Sequence, residues 1–365
     1  MKKLFFPLMA LLAVGILPSC SEKFKVAAPY KNISVVYGLL DQADTAHYVR
    51  IQKAFLDDNK SAVTMAKEPD SNFYANITVV IKKIDMYNQQ VLGTIPLTRV
   101  DLTNEGYPKP AGVFFNTPNY AYKFKENLDS IMIYRLVITN NITGEKDSAE
   151  APVINDISAA TFTAKLIDDT GVDSRQINFA SSSQTSTVPN LYGSYTPPYN
   201  FKFENYTSPV AIVQSVLTFN WVDSNTSTGV KVAHSYDYDL GTTPFTSGTT
   251  FLYKPKKVDL VNGIYGGMGP APQYIVRLID RCDLSFYLGT YDLSTYMQVQ
   301  ALQGIGLTGN EIQATFTNIK GVNKAMGLFT SRGHRTGKVT VDNSTITFLK
   351  TSSISVNARI VGTVY

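Results

Sequence analysis

The chain has little with which to do chemistry. It carries three histidines and two cysteines in 365 residues. His47, His234 and His334 lie in different segments, and none sits in a zinc or nucleophile motif. No metal or cofactor is therefore expected. A phosphate loop is missing too: the run Gly263-Ile264-Tyr265-Gly266-Gly267-Met268-Gly269-Pro270 lacks its lysine and reads as a flexible turn or lid. Charge is sparse and nearly balanced, 33 Lys and Arg against 29 Asp and Glu, with no basic stripe. That argues against a nucleic-acid partner.

Cys20 gives the scarce cysteines meaning. Lys2 and Lys3 precede an apolar run, Leu4 to Leu17, and a small residue, Ser19, sits directly before the cysteine. This is the pattern of a secretion signal ending in a lipidated cysteine. An apolar run of about 14 residues is too short to span a membrane, which takes roughly 20. Residues 1–19 read as the signal peptide and 20–30 as a membrane tether. Ser21 to Tyr30 reach at most about 35 Å when extended, so the first domain is expected close to the bilayer. With Cys20 acylated, Cys282 has no partner for a disulfide. It ends the strand-like run from Tyr274, on the side of Val276 and Leu278, and reads as a buried, inert core thiol.

About 345 residues follow the signal, enough for two domains. Short alternating segments bounded by turn residues predict a mainly all-β protein. Ile33 to Leu40, His47 to Leu56, Ala75 to Ile84, Tyr120 to Phe124, Ile131 to Thr139 and a run near Ala149 make an Ig-like β-sandwich over 31–155. The polar stretch Asp57 to Tyr74 reads as a loop with a helical turn around Ala62 to Lys67. Residues 156–365 form a second β-rich domain, sandwich or barrel-like. Its strands include Val210 to Val222, Val230 to Leu240, Phe251 to Tyr253, Tyr274 to Cys282, Lys338 to Val341, Thr345 to Leu349 and Val356 to Val364. One short helix is expected near 292–302, capped by Asp292, where Leu293, Tyr296, Met297 and Ala301 recur at helical spacing.

Three stretches together carry a family likeness. They are Val35-Val36-Tyr37-Gly38-Leu39-Leu40; Tyr134 to Thr139 with Ala149-Glu150-Ala151-Pro152; and Phe316 to Gly321 followed by Met326-Gly327-Leu328-Phe329. The chain resembles Bacteroidota outer-membrane lipoproteins that carry a domain of unknown function and are often encoded beside TonB-dependent receptors. The resemblance implies outer-membrane residence, and it brings no catalytic residues with it. Ser21-Glu22-Lys23 offers one acidic residue beside a basic one, so both the periplasmic and the surface face are compatible.

Candidate ligand contacts are few. Tyr192, Tyr195 and Tyr199 crowd a proline-stiffened loop, and Trp221 is the single tryptophan. Asp237 and Asp239 share one face of a strand, about 7 Å apart by strand rise. That spacing is compatible with an inverting glycosidase pair and with a solvated sheet face. His234 falls on the apolar face of the same strand, as a hydrogen-bonded core or interface histidine. His334 falls in a cationic surface turn, Ser331 to Arg335.

The expected function is that of a non-catalytic binding or accessory module, held in the outer membrane by its N-terminal lipid and working with a TonB-dependent transporter or another envelope β-barrel. The alternatives are a surface glycan-binding lipoprotein and a glycan hydrolase. Replacing Cys20→Ser should move the protein from the membrane to the soluble fraction on centrifugation of lysed cells. Retention in the pellet would refute lipid anchoring at this residue.

Overall fold

The computed structural model describes residues 33–54, 60–154, 162–167, 173–174, 176–177, 190–195, 210–245, 250–253, 257–303, 316–352 and 356–365. The chain is mainly β, as its alternation requires. Eight strands come first: β1 (Ser34–Asp41), β2 (Ala46–Lys53), β3 (Ile77–Asp85), β4 (Val91–Pro96), β5 (Thr98–Asp101), β6 (Tyr120–Lys125), β7 (Met132–Asn140) and β8 (Lys146–Pro152). They pair in the orders β1-β2-β6-β5 and β4-β3-β7-β8, the strand arrangement of an immunoglobulin-type sandwich. Val36, Leu40, Val49 and Ile51 meet Val79, Ile81, Leu136 and Ile138 in the core between the sheets. Tyr134 is fully buried near the start of β7. Its hydroxyl accepts the Asp129 N–H at 2.9 Å, the corner that such sandwiches use to hold a strand crossing. β4 and β5 had no clear sequence signal, because edge strands with half-exposed faces carry few apolar residues. In the polar stretch, Ser61 caps α1 (Ala62–Ala66) by accepting the Thr64 N–H. A single turn, α2 (Pro69–Asn72), follows.

The second half contributes β9 (Phe162–Ile167), β10 (Asp173–Ser174), β11 (Gln176–Ile177), β12 (Asn190–Tyr195), β13 (Val210–Asn225), β14 (Lys231–Pro244), β15 (Thr250–Tyr253), α3 (Lys257–Met268), β16 (Ile275–Ile279) and β17 (Cys282–Thr290). It ends with α4 (Tyr291–Gln303), β18 (Lys320–Gly321), β19 (Met326–Val341), α5 (Asn343–Thr351) and β20 (Ile360–Thr363). β10, β9, β12 and β15 form a small sheet.

Hydrogen bonding runs straight through the boundary drawn at 155. β19 pairs in parallel with β1 through Met326–Arg332 and antiparallel with β17 through Arg332–Val339. One open sheet of 11 strands therefore passes from the sandwich into the second half, and it does not close into a barrel. Its inner face carries both cores: the five-stranded sheet covers the first half, and α3 and α5 cover the second through Leu260, Ile264, Ile346 and Leu349. Two of the family-like stretches are neighbours in this pairing, Val35 opposite Met326 and Gly38 opposite Phe329. Both glycines are required there. A Cβ on Gly38 would stand 2.7 Å from the Phe329 ring. Gly327 has φ +109°, and a Cβ there would stand 1.9 Å from the Val36 carbonyl oxygen.

Several expectations are corrected. The glycine-rich run at 263–270 is no lid: its first six residues form the second half of α3. Gly263 and Gly267 are bare because the Tyr236 and Tyr238 rings of β14 lie against them. Thr345 to Leu349 belongs to helix α5, capped by Asp342 accepting the Ser344 N–H; the β-branched residues there suggest a strand, but the cap and tertiary burial decide otherwise. The single helix expected is thus one of five among the described residues. α4 is capped two residues earlier than Asp292, with the Thr290 hydroxyl accepting the Leu293 N–H. The strand expected from Tyr274 to Cys282 breaks at Asp280–Arg281, which separates β16 from β17 along one edge of β13. The break shifts the alternation, so buried Cys282 lies with Ile279 and Leu284 in the core rather than with Val276 and Leu278. Burial pushes its thiol pKa up, which keeps it protonated and inert. His334 sits within β19, not in a turn.

Two neighbouring glycines test the helix assignment. A Cβ on Gly267 would stand 2.3 Å from the Tyr236 ring, whereas nothing lies within 4 Å of one on Gly266. Gly267→Ala should lower stability by about 1–2 kcal/mol through overpacking, and Gly266→Ala should raise it by about 0.5–1 kcal/mol. Urea midpoints measure both; equal shifts would contradict the packing of α3 on β14.

Candidate functional site

The outer face of the large sheet carries a single described helix, α4, and a groove runs on both sides of it. Strand geometry places the lining. On β1, Val36 and Leu40 point into the core, so Tyr37 and Leu39 must point out; they are 42% and 38% exposed. Leu293 of α4 settles over Gly289, where a Cβ would meet both Leu293 and Ile212. On one side of the helix, Leu39, Ile212, Tyr287, Met297 and Arg332 line a groove of about 390 Å³. On the other, Tyr37, Leu39, Tyr48, Arg50 and Leu328 line one of about 570 Å³. Leu39 and Leu293 border both. The groove thus takes residues from both halves of the chain, where the shared strand joins them.

Polar groups fix its walls. Tyr37 stands edge-on to Tyr296 of α4, ring centres 6.4 Å apart. Burial, then the hydrogen bond with Tyr296, pushes its hydroxyl pKa up to about 12, so it remains a neutral donor. Tyr48 donates to Glu105 at 2.9 Å, and Lys123 pairs with the same carboxylate. Lys123 and then the Tyr48 hydroxyl hold the Glu105 pKa below the usual carboxylate range. At the end of β1 lies Asp41, whose side chain is 2% exposed. It accepts Arg332 Nε at 3.1 Å, His334 Nδ1 at 2.9 Å and the Ala43 N–H at 3.1 Å. A buried carboxylate at the end of β1 is thus held by two side chains of β19.

The residues singled out in the sequence fall elsewhere. Cys20 and Tyr199 lie outside the described residues. Tyr192 and Tyr195 belong to strand β12, hydrogen-bonded between β9 and β15, and not to an irregular loop. Trp221 is buried in the second core, where it cannot stack on a ligand; its Nε1 donates to Asp223 at 3.0 Å. His234 stacks on that indole and faces Asp223 at 3.5 Å, but it is exposed rather than part of the core. Asp223 also binds the buried Arg277 at 3.0 Å, and Arg277 donates onward to the Met268 and Gly269 carbonyls at the end of α3. This cluster is structural: it fastens a helix C-terminus, where cations belong. Asp237 accepts the Thr218 hydroxyl and Asp239 the Gly241 N–H. Each carboxylate has its own neighbour, and no bond links them among the described residues.

Among the described residues no group of His, Cys, Asp and Glu is placed to hold a metal ion, and no helix is long and apolar enough to cross a membrane. Compared with known proteins, the chain matches no family model and no curated protein.

One sequence signal pointed to the groove. β1 is apolar at Val36 and Leu40 and also at Tyr37 and Leu39, the mark of a strand covered on both faces. Asp41 gives a test of the joint. Arg332→Met with His334→Leu leaves a buried carboxylate with one backbone donor and should cost about 3–5 kcal/mol. Asp41→Asn keeps an acceptor and frees two partly exposed side chains, so it should cost about 1–2 kcal/mol. Denaturant titration would show the order, and a reversed order would refute this account of the cluster.

Proposed function

We propose that the protein is a lipid-anchored binding module of the outer membrane, accessory to a TonB-dependent transporter, and that the groove astride α4 is its ligand-binding surface. The observation that carries the reading is the composition of that groove. Its lining is aromatic and aliphatic, with few convergent polar groups, and it sits where two halves of the chain meet, as binding sites tend to. The lipobox at Cys20 and the likeness to Bacteroidota lipoproteins supply the location. Both faces of the membrane suit the reading. Affinity purification from native membranes is expected to recover an outer-membrane β-barrel protein reproducibly, and repeated purification without one would remove the accessory role.

The tyrosines favour a second, compatible reading, a glycan as the ligand. Tyr37, Tyr287 and Tyr291 are all exposed at or beside the groove, and such rings make rigid, amphipathic contacts at low entropic cost. Glycan-array binding should then be lost on Leu39→Arg, which fills the groove, and kept on Tyr195→Ala, in strand β12 of the small sheet. The opposite pattern would return the site to the tyrosine-rich stretch near 192–199.

A further inference from the structure

Arg50 is a feature of the groove that the fold does not use up. It lies on the outer face of β2, directly across from Tyr37 of β1 in the antiparallel register, so their Cβ atoms stand roughly 5 Å apart. A guanidinium has five N–H donors. Among the described residues Arg50 makes one side-chain hydrogen bond, from Nη2 to Asn119 Oδ1 at 2.5 Å, and it makes no ion pair. The acceptor is neutral and already committed, since Asn119 also donates to the Tyr107 carbonyl. Nearby carboxylates are occupied elsewhere: Glu105 by Tyr48 and Lys123, and Asp101 by the backbone of Thr103 and Asn119. Asp44 lines the same groove but is exposed at the turn after β1.

A second cation deepens the imbalance. Lys109 Nζ is held by the Phe115 carbonyl at 3.0 Å and lies over the Phe114 and Phe115 rings. Burial lowers its pKa first, and the charge of Arg50 lowers it further. Arg50 is itself lowered by burial alone. Two partly buried cations that feel each other, with no carboxylate between them, are costly unless an anion arrives. The groove is where one has access.

Resting on the reading of the groove as a ligand site, we infer that its β1–β2 end is an anion subsite, in which Arg50 takes the carboxylate of an acidic sugar whose ring lies against Tyr37. The carboxylate chemistry follows from the planar, forked donor set of arginine. The sugar follows from the floor. β1 is paired on both edges, with β19 and β2, while β2 is paired with β1 over Val49–Lys53 and with β6 over Ala46–Val49. The Tyr37–Arg50 pair lies inside the β1–β2 ladder, so the floor there presents side chains rather than a free strand edge. An extended peptide, which is commonly held by adding a strand to a sheet edge, finds no such edge, whereas a sugar ring needs only an aromatic face and a polar anchor.

Calorimetric titration of the full mature chain with a galacturonate trimer and a neutral galactose trimer tests this. The acidic trimer should bind at least ten-fold more tightly. Arg50→Gln should weaken it by about 10–100-fold, the size of a charge-assisted hydrogen bond, and leave the neutral trimer unchanged. Tyr37→Leu, an exposed position that does not challenge folding, should weaken both. Equal affinity for the two trimers in the unaltered chain overturns the subsite, and so does an Arg50→Gln variant that binds as before. Tighter binding of a triglutamate peptide overturns the sugar assignment. If both trimers bind equally and Leu39→Arg abolishes both, the groove reading stands and only the anion subsite falls.

Discussion

One strand belongs to both halves of this molecule, and everything else is arranged around it. The first half of β19 completes the β1 edge of the sandwich, and its second half continues the same sheet by pairing with β17. The chain fixes it at each step. Asn318 accepts the Phe329 N–H and donates to the Phe329 carbonyl, copying the bonds of a neighbouring strand. Ser331 bridges the Pro152 carbonyl and the Ile154 N–H, and Thr330 meets Thr290 beneath α4 at 2.5 Å. Just upstream, β18 pairs with β8 on the other sheet of the sandwich. A single segment therefore covers an edge of both sandwich sheets, which is how open edges are kept from pairing with other chains. The arrangement has a kinetic consequence. Asp41 and Arg332 are 291 residues apart in sequence, and contacts of such separation form late and slowly.

The same strand explains why a groove exists and why it is well defined. A sandwich alone would leave the outer face of β1 to solvent. Extending the sheet with β19 and β17 makes that face wide enough for α4 to lie on, and the helix cannot fill it. Tyr37 and Leu39 stay partly open on one side of the helix, and Tyr287 and Met297 on the other. Because the walls are joined by strand pairing and not by a flexible linker, their spacing is set before any ligand arrives. The buried Asp41 tightens the joint where β19 passes from one partner to the other. Pre-organisation of this kind lowers the ordering cost of binding.

Much of the fold was legible because burial on one face imposes period two. Val49 with Ile51, Val79 with Ile81, and Val213 through Trp221 alternate as one-sided strands do, and each set is buried together. A helical turn around Ala62 to Lys67 and the Leu293–Met297 spacing marked two helices. The rest failed for identifiable reasons. α3 was hidden because Gly263 and Gly267 are poor helix formers, placed there for two tyrosine rings 25 to 31 residues earlier in the chain. The phase of Cys282 was lost at a two-residue break that no local residue type announces. The groove was hardly visible at all. Its partners, Tyr37, Arg50, Tyr287 and Arg332, are brought together by long-range register, and no local pattern encodes a pairing between positions 35 and 326. The aromatic cluster that did stand out, Tyr192 to Tyr199, drew the eye through composition, which says nothing of where rings point.

Register also constrains how the site would work at a membrane. If Cys20 carries the lipid, the 13 residues before Ser34 reach at most about 47 Å. The first strand after this tether is β1, whose outward residues Tyr37 and Leu39 line the groove; they lie about 10 and 17 Å along the strand from Ser34. The ligand surface is thus built from the residues closest in sequence to the anchor, and the other wall is brought to them by β19 from the far end of the chain. Whatever the groove holds stays within about 65 Å of the bilayer, and less when the tether is slack. That radius is the size of a neighbouring membrane protein, so an anchored copy presents its ligand to such a neighbour at high effective concentration. A soluble copy would lose that advantage even with its groove intact. On the proposed reading, anchor and groove are parts of one device, linked by the position of β1 soon after the tether in the chain.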